Sequence, residues 1–141
     1  MMALVDTNVV LDVMFGREPH LADSAAVLSA VEKASCGGLL CATTVTSIHY
    51  IAERQIGSRA SLAHLTGLMS IFGVAAVNQA VIASAIRCGI ADFEDAVLHE
   101  AAIQAGADCI VTRNIADFKL ATFPVYTPSQ FIASLAQQAS D

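Results

Sequence analysis

The chain has 141 residues, enough for one compact domain with a real core. At 55% hydrophobic and 14% charged it lies on the apolar side for a soluble domain, which points to a parallel sheet covered on both faces, or to apolar surface buried against another subunit. A net charge of −6 excludes a basic footprint for nucleic acid. An RNA or DNA partner would need bound cations and a few local basic residues, and an acidic protein also suits a basic partner.

Met2 to Val5 reads as a short strand, followed by a helix from Thr7 to about Phe15 with Val9, Val10 and Val13 facing inward. Gly16-Arg17-Glu18-Pro19 is a break, and Pro19 suits the first turn of a helix running to about Ser35. Leu21, Ala25, Leu28 and Val31 recur there at helical spacing. Gly37-Gly38 is expected to end that helix, with a second strand from Leu39 to Ala42. Thr43 or Thr44 is a candidate cap for a helix reaching Ile56. Gly57-Ser58 separates it from a helix ending near Ser70.

A third strand is expected over Gly73 to Ala76, then a helix from Gln79 to Cys88 stopped by Gly89. Asp92 is a natural N-cap for the helix that ends near Ala105, with Gly106 as its terminator. Cys109 to Val111 is the fourth strand, Pro124 to Tyr126 a weak fifth, and Pro128 to about Gln138 a closing helix. Strands alternating with helices imply right-handed βαβ units and an α/β fold, a single domain over 1–141.

No Asp, Glu, Lys or Arg lies between Arg59 and Arg87, but His64, Gly67, Gly73 and Asn78-Gln79 interrupt that stretch, so helix-strand-helix fits better than one membrane span. Ala34 to Ala52 falls the same way. Without a basic n-region before Asp6, a signal peptide is not expected, and the expectation is a cytoplasmic protein without membrane attachment. Cys36, Cys41, Cys88 and Cys109 have no ligand or CxxC spacing and read as small, mostly buried thiols.

Three acidic signatures stand out. They are Leu4-Val5-Asp6-Thr7-Asn8, Asp92-Phe93-Glu94-Asp95-Ala96, and Val111-Thr112-Arg113-Asn114 leading to Asp117. Asp6 and Thr112 directly follow apolar strands, and ligands of open α/β sheets gather beyond the carboxyl ends of strands. Carboxylates gathered there without basic partners repel one another, and a hard divalent cation relieves this. Each residue also has a structural role open to it: Asp6 and Asp92 as caps, Asp95 as a first-turn acid, Asp117 and Asn114 as turn residues, Thr112 and Asn8 as partners of local backbone.

These signatures, in this order and over nearly the whole length, resemble the PIN domain, found in VapC-type toxins of toxin–antitoxin pairs. The resemblance implies a three-layer α/β/α sandwich around a mostly parallel sheet of four to five strands. It implies a metal-dependent endoribonuclease that hydrolyses RNA through a metal-activated water, with Mg²⁺ or Mn²⁺ as cofactor. Carried over by position, Asp6, Asp95 and Asp117 would be the metal carboxylates, with Asn8, Thr112 and Asn114 orienting them or the water. It further implies an antitoxin partner and a homodimer. The alternative within the same fold is an RNA- or protein-binding module with weak or lost cleavage. A dehalogenase-type phosphatase also begins with strand-Asp, but Asn8 stands where its second Asp belongs.

One position departs from the family pattern. The usual acid on the helix after the second strand is replaced by Ser47. Glu53 cannot substitute, because six helical positions rotate it about 240° away. Asp92, one turn before Asp95, is the better substitute and an additional candidate ligand, whereas Glu94 reads as a solvated first-turn residue. One or two metals remain open. Arg113 suits either a phosphate contact or a surface ion pair; Arg17, Arg54 and Arg59 suit RNA guidance or simple solvation; His49 and His64 suit packing.

Overall fold

A computed structural model describes residues Met1–Ser140. Five parallel strands, β1 (Met2–Val5), β2 (Gly37–Cys41), β3 (Gly73–Ala75), β4 (Cys109–Val111) and β5 (Val125–Tyr126), form one sheet in the order β3-β2-β1-β4-β5. Seven helices cover it: α1 (Thr7–Met14), α2 (Leu21–Glu32), α3 (Ala42–Ile56), α4 (Ser58–Met69), α5 (Gln79–Arg87), α6 (Phe93–Gln104) and α7 (Pro128–Ser140). The architecture is α/β/α, and the expectation of a mostly parallel sheet is met by one in which every pairing is parallel.

Alternation along the strands builds the layers. Ala3, Val5, Leu40, Cys109 and Val111 point to one face, where α1, α2 and α7 contribute Val9, Val10, Val27, Val31 and Phe131. Leu4, Cys41, Ala75 and Ile110 point to the other, against Val81 and Ala85 of α5 and Ala96, Val97 and Ala101 of α6. Alanines buried along α6 let that helix approach the sheet closely, which brings its acidic first turn near the strand ends.

Four local readings are corrected. Gly37-Gly38 does not end a helix; both residues belong to β2, and α2 ends earlier, at Glu32, with Ala34 in the left-handed region (φ 59°). Close approach explains the glycines: a Cβ on Gly38 would lie 2.7 Å from both Phe72 and Val31 side-chain atoms. Neither Thr43 nor Thr44 caps α3, which starts at Ala42 after Cys41 without a side-chain cap; Thr44 is buried and accepts from the Thr7 hydroxyl at 3.3 Å. Pro19 precedes α2 rather than opening it, and Val13 is only half-buried.

A buried ion pair ties the loop after β4 to the helices beneath. Asp12 of α1 has no exposed surface, and Arg113 donates to both its oxygens (Nε 2.7 Å, Nη2 3.1 Å), with Ser24 of α2 donating a third bond at 3.0 Å. Arg113→Met would strand a desolvated carboxylate, so urea unfolding is expected to show a loss of about 3 kcal/mol, with Asp12→Asn costing less because it removes the buried charge itself.

Candidate functional site

The carboxyl ends of the central strands set the site. Asp6 follows β1 directly, and its residual exposure is 8%. Its Oδ1 accepts the Thr7 N–H at 2.7 Å, so it caps α1 as well as facing the pocket. Its Oδ2 accepts the Thr112 hydroxyl at 2.8 Å from the end of the neighbouring strand β4. The Asn8 amide stands 3.4 Å from both Asp6 Oδ2 and Thr112 Oγ1, and its carbonyl accepts the Arg113 N–H at 3.3 Å. The Asn114 N–H donates to Thr112 Oγ1 at 3.1 Å. The first and third signatures are therefore one hydrogen-bonded unit built across the β1–β4 pair.

Asp117 lies in a 3₁₀ turn, Ile115–Phe118, that sequence patterning missed; Phe118 anchors this turn in the core beside α6 while Asp117 stays exposed. Asp92 caps α6 as expected, accepting the Asp95 N–H at 2.9 Å. Asp6, Asn8, Asp92, Glu94, Asp95, Asn114 and Asp117 all line one cavity of about 770 Å³, together with Arg17, Ser47 and Tyr50. Thr112, wholly buried, acts from beneath through Asp6.

Two expectations change. Glu94 is not merely a solvated first-turn acid: it lines the cavity, and the Ser47 hydroxyl donates to its Oε1 at 3.2 Å. The corner that lacks an acid on α3 thus meets one from α6. Of the two roles open to Arg113, the ion pair is the one formed, with a buried rather than a surface partner. Glu53 pairs with His49 at 3.3 Å, and His49 also bonds Ser61 at 2.8 Å, so neither belongs to the cavity. A separate apolar groove of about 650 Å³, lined by Val10, Met14, Leu28, Leu68 and Ile71 among others, lies away from the carboxylates.

Electrostatics follow from this crowding. Burial raises the Asp6 carboxyl above its ordinary range against the Thr112 and Thr7 hydrogen bonds, and Glu94 and Asp117 add to the rise. Burial first, then Asp6, Asp92, Asp117 and Glu94, push Asp95 up to about 7. The donor set suits a hard cation: every acidic group offers oxygen, and no Cys or His lines the cavity. Among the described residues, no three His, Cys, Asp or Glu side chains converge closely enough to hold an ion as they stand. Asp6 is the fixed corner, and the exposed acids would have to draw towards it.

The family model of the PIN domain matches residues 2–116. The chain belongs to the PIN domain family. No curated protein matches the sequence. Among solved structures, the fold is similar to a chain of VapBC2 from Rickettsia felis bound to a DNA fragment from its promoter, with 14% identity, a TM-score of 0.71, and 89% of this chain and 97% of that one covered. It is also similar to FitAcB from Neisseria gonorrhoeae (19% identity, TM-score 0.70, 91% and 99% covered). A third is VapC20 of Mycobacterium tuberculosis, described as a sarcin–ricin loop cleaving toxin (14% identity, TM-score 0.62, 77% and 86% covered). At these identities the structures show a shared fold.

The raised Asp95 pKa has a testable sign. Its folded value of about 7 exceeds the ordinary 3.8, so the folded state holds the extra proton between these limits, and stability falls as pH rises through the window. In EDTA, Asp95→Asn is expected to melt at a higher temperature than wild type at pH 8. That advantage should narrow as pH drops through 7 towards 4; calorimetric scans across the range check it.

Proposed function

We propose that this PIN domain is a divalent-cation-dependent endoribonuclease, the toxin of a toxin–antitoxin pair. The observation that carries this reading is the cavity in which the carboxylates from all three signatures meet around a buried, hydrogen-bonded Asp6. Asp6, Asp95 and Asp117 would hold Mg²⁺ or Mn²⁺, with Asp92 beside them. The bound ion would supply charge that makes water a nucleophile and offsets negative charge developing on the phosphate.

The chain's own residues do the rest. Thr112 and the Thr7 N–H hold Asp6 in one orientation, and Asn8 braces Thr112 against the loop after β4. Asp95 holds its proton more readily than an ordinary carboxyl while the site is metal-free, so cation binding there would release that proton. Glu94, held by Ser47, takes the corner left without an acid on α3. This weakens the reading of a binding module with lost cleavage, which rested on Ser47 alone.

An antitoxin partner is part of the proposal: a toxin–antitoxin complex from Klebsiella pneumoniae contains a chain of similar fold, and the apolar groove between α1, α2 and α4 offers such a partner a dry surface. A homodimer would cover Ile82 and Ile86, which lie one turn apart on α5 and are exposed. No helix among the described residues is long and apolar enough to cross a membrane, and a cytoplasmic location completes the reading.

Incubation with a mixed RNA pool and Mn²⁺ tests the activity. Wild type is expected to cleave, EDTA to stop it, and Asp6→Asn or Asp95→Asn to lower the rate on the order of a hundredfold or more. Activity persisting in EDTA or in both variants would remove the metal mechanism; a folded wild type that cleaves nothing would return the binding-module reading. Titration calorimetry tests the fourth corner. Glu94→Gln should weaken Mn²⁺ binding roughly tenfold, and adding Ser47→Glu to it should restore the affinity.

A further inference from the structure

One helix face leads out of the acidic cavity. Ser47, Tyr50 and Arg54 follow one another on α3 at helical spacing, and Ser47 and Tyr50 both line the cavity. Tyr50 is 58% exposed, large for an aromatic side chain, and it spends that exposure at the mouth of the site. The Arg54 guanidinium lies over its ring, 4.3 Å from the centroid, and also donates to its hydroxyl. On the same cavity wall Arg17 lies over Phe15 at 5.8 Å. Among the described residues neither guanidinium is engaged in an ion pair, even though several carboxylates line the cavity.

Acid at the floor and paired cation and aromatic at the rim separate two tasks. A phosphate would be repelled by the floor unless a cation lies between them, whereas a base is uncharged and needs only a flat apolar surface. Stacking on aromatic rings and on guanidinium planes is how unpaired bases are held without sequence readout. We propose that Tyr50, backed by Arg54, is a stacking subsite for an unpaired nucleobase flanking the phosphate at the carboxylates, with Arg17 meeting the strand's backbone. This rests on the ribonuclease reading for the identity of the strand and selects single-stranded over duplex RNA, whose bases are stacked away from such a ring.

Binding is measured on otherwise wild-type protein with Ca²⁺ in place of Mn²⁺, a hard cation that takes oxygen ligands but activates water poorly, so that cleavage does not intrude. The probes are a mixed-sequence single-stranded RNA of about twelve nucleotides, of the order of one nucleic-acid site, and an abasic ribose-phosphate strand of equal length. Tyr50→Ala is expected to weaken RNA binding roughly tenfold or more while Tyr50→Phe retains it, and binding of the abasic strand should be the same in all three. The chain has no tryptophan, so Tyr50→Trp introduces a single indole whose emission should be quenched by the RNA and not by the abasic strand. RNA affinity unchanged by Tyr50→Ala, equal losses for both strands, absent RNA binding, or unquenched indole emission would each overturn the subsite. RNA binding that depends on Tyr50 in a protein whose wild type cuts nothing would sustain the subsite and sink the nuclease. Cleavage by Tyr50→Ala with an unaltered KM would do the reverse.

Discussion

The structure depends on keeping one carboxylate, that of Asp6, in a nearly dry place. A charge removed from water needs donors, and the fold supplies the Thr7 N–H from its own helix and the Thr112 hydroxyl from the neighbouring strand. The second donor exists because β1 and β4 run parallel and in register, Val5 beside Val111, so the residues following each strand emerge side by side. The pairing that completes the centre of the sheet thus also fuses two distant segments into one polar unit. Asn8 and the Asn114 N–H then complete the hydrogen bonding of Thr112.

A second constraint concerns where positive charge is not. Arg113 stands between Thr112 and Asn114 in the chain, yet its side chain does not line the acidic cavity. Buried Asp12, fixed by Ser24, draws it to the opposite side instead. The cavity keeps its excess of carboxylates, which adds to burial, the larger cause, in raising the Asp95 carboxyl to about 7. An ion pair that looks purely structural therefore leaves intact the negative field on which the proposed cation site would draw. Arg17, which lines the cavity, and Arg54, one turn beyond Tyr50 on α3, lie over aromatic rings.

Much of this was legible in the chain, for reasons that are local. Strands β1, β3 and β4 and helices α3 to α7 follow short apolar runs and helical periodicity bounded by glycine, proline or a capping side chain, and the Asp92 cap was readable because its acceptor serves a backbone N–H three residues on. Gly37-Gly38 was misread because glycine stops helices and also permits close packing; only the positions of Phe72 and Val31 distinguish these. The 3₁₀ turn at Ile115–Phe118 was too short to carry a period. Glu94 was passed over because its partner, Ser47, is 47 residues away and belongs to another helix.

Taken alone, the sequence determined that this is a parallel α/β chain with three acidic signatures at strand ends and helix starts, because hydrophobic period and capping chemistry act within a few residues. The family resemblance was likewise readable from those motifs. Only the tertiary structure decided which acids share a cavity, that Glu94 meets Ser47, that Arg113 turns to Asp12, and that Tyr50 lines the same cavity. Those outcomes depend on strand order, on the close approach of α6 and on side-chain direction, and charge pairing across more than a hundred residues leaves no local pattern to read.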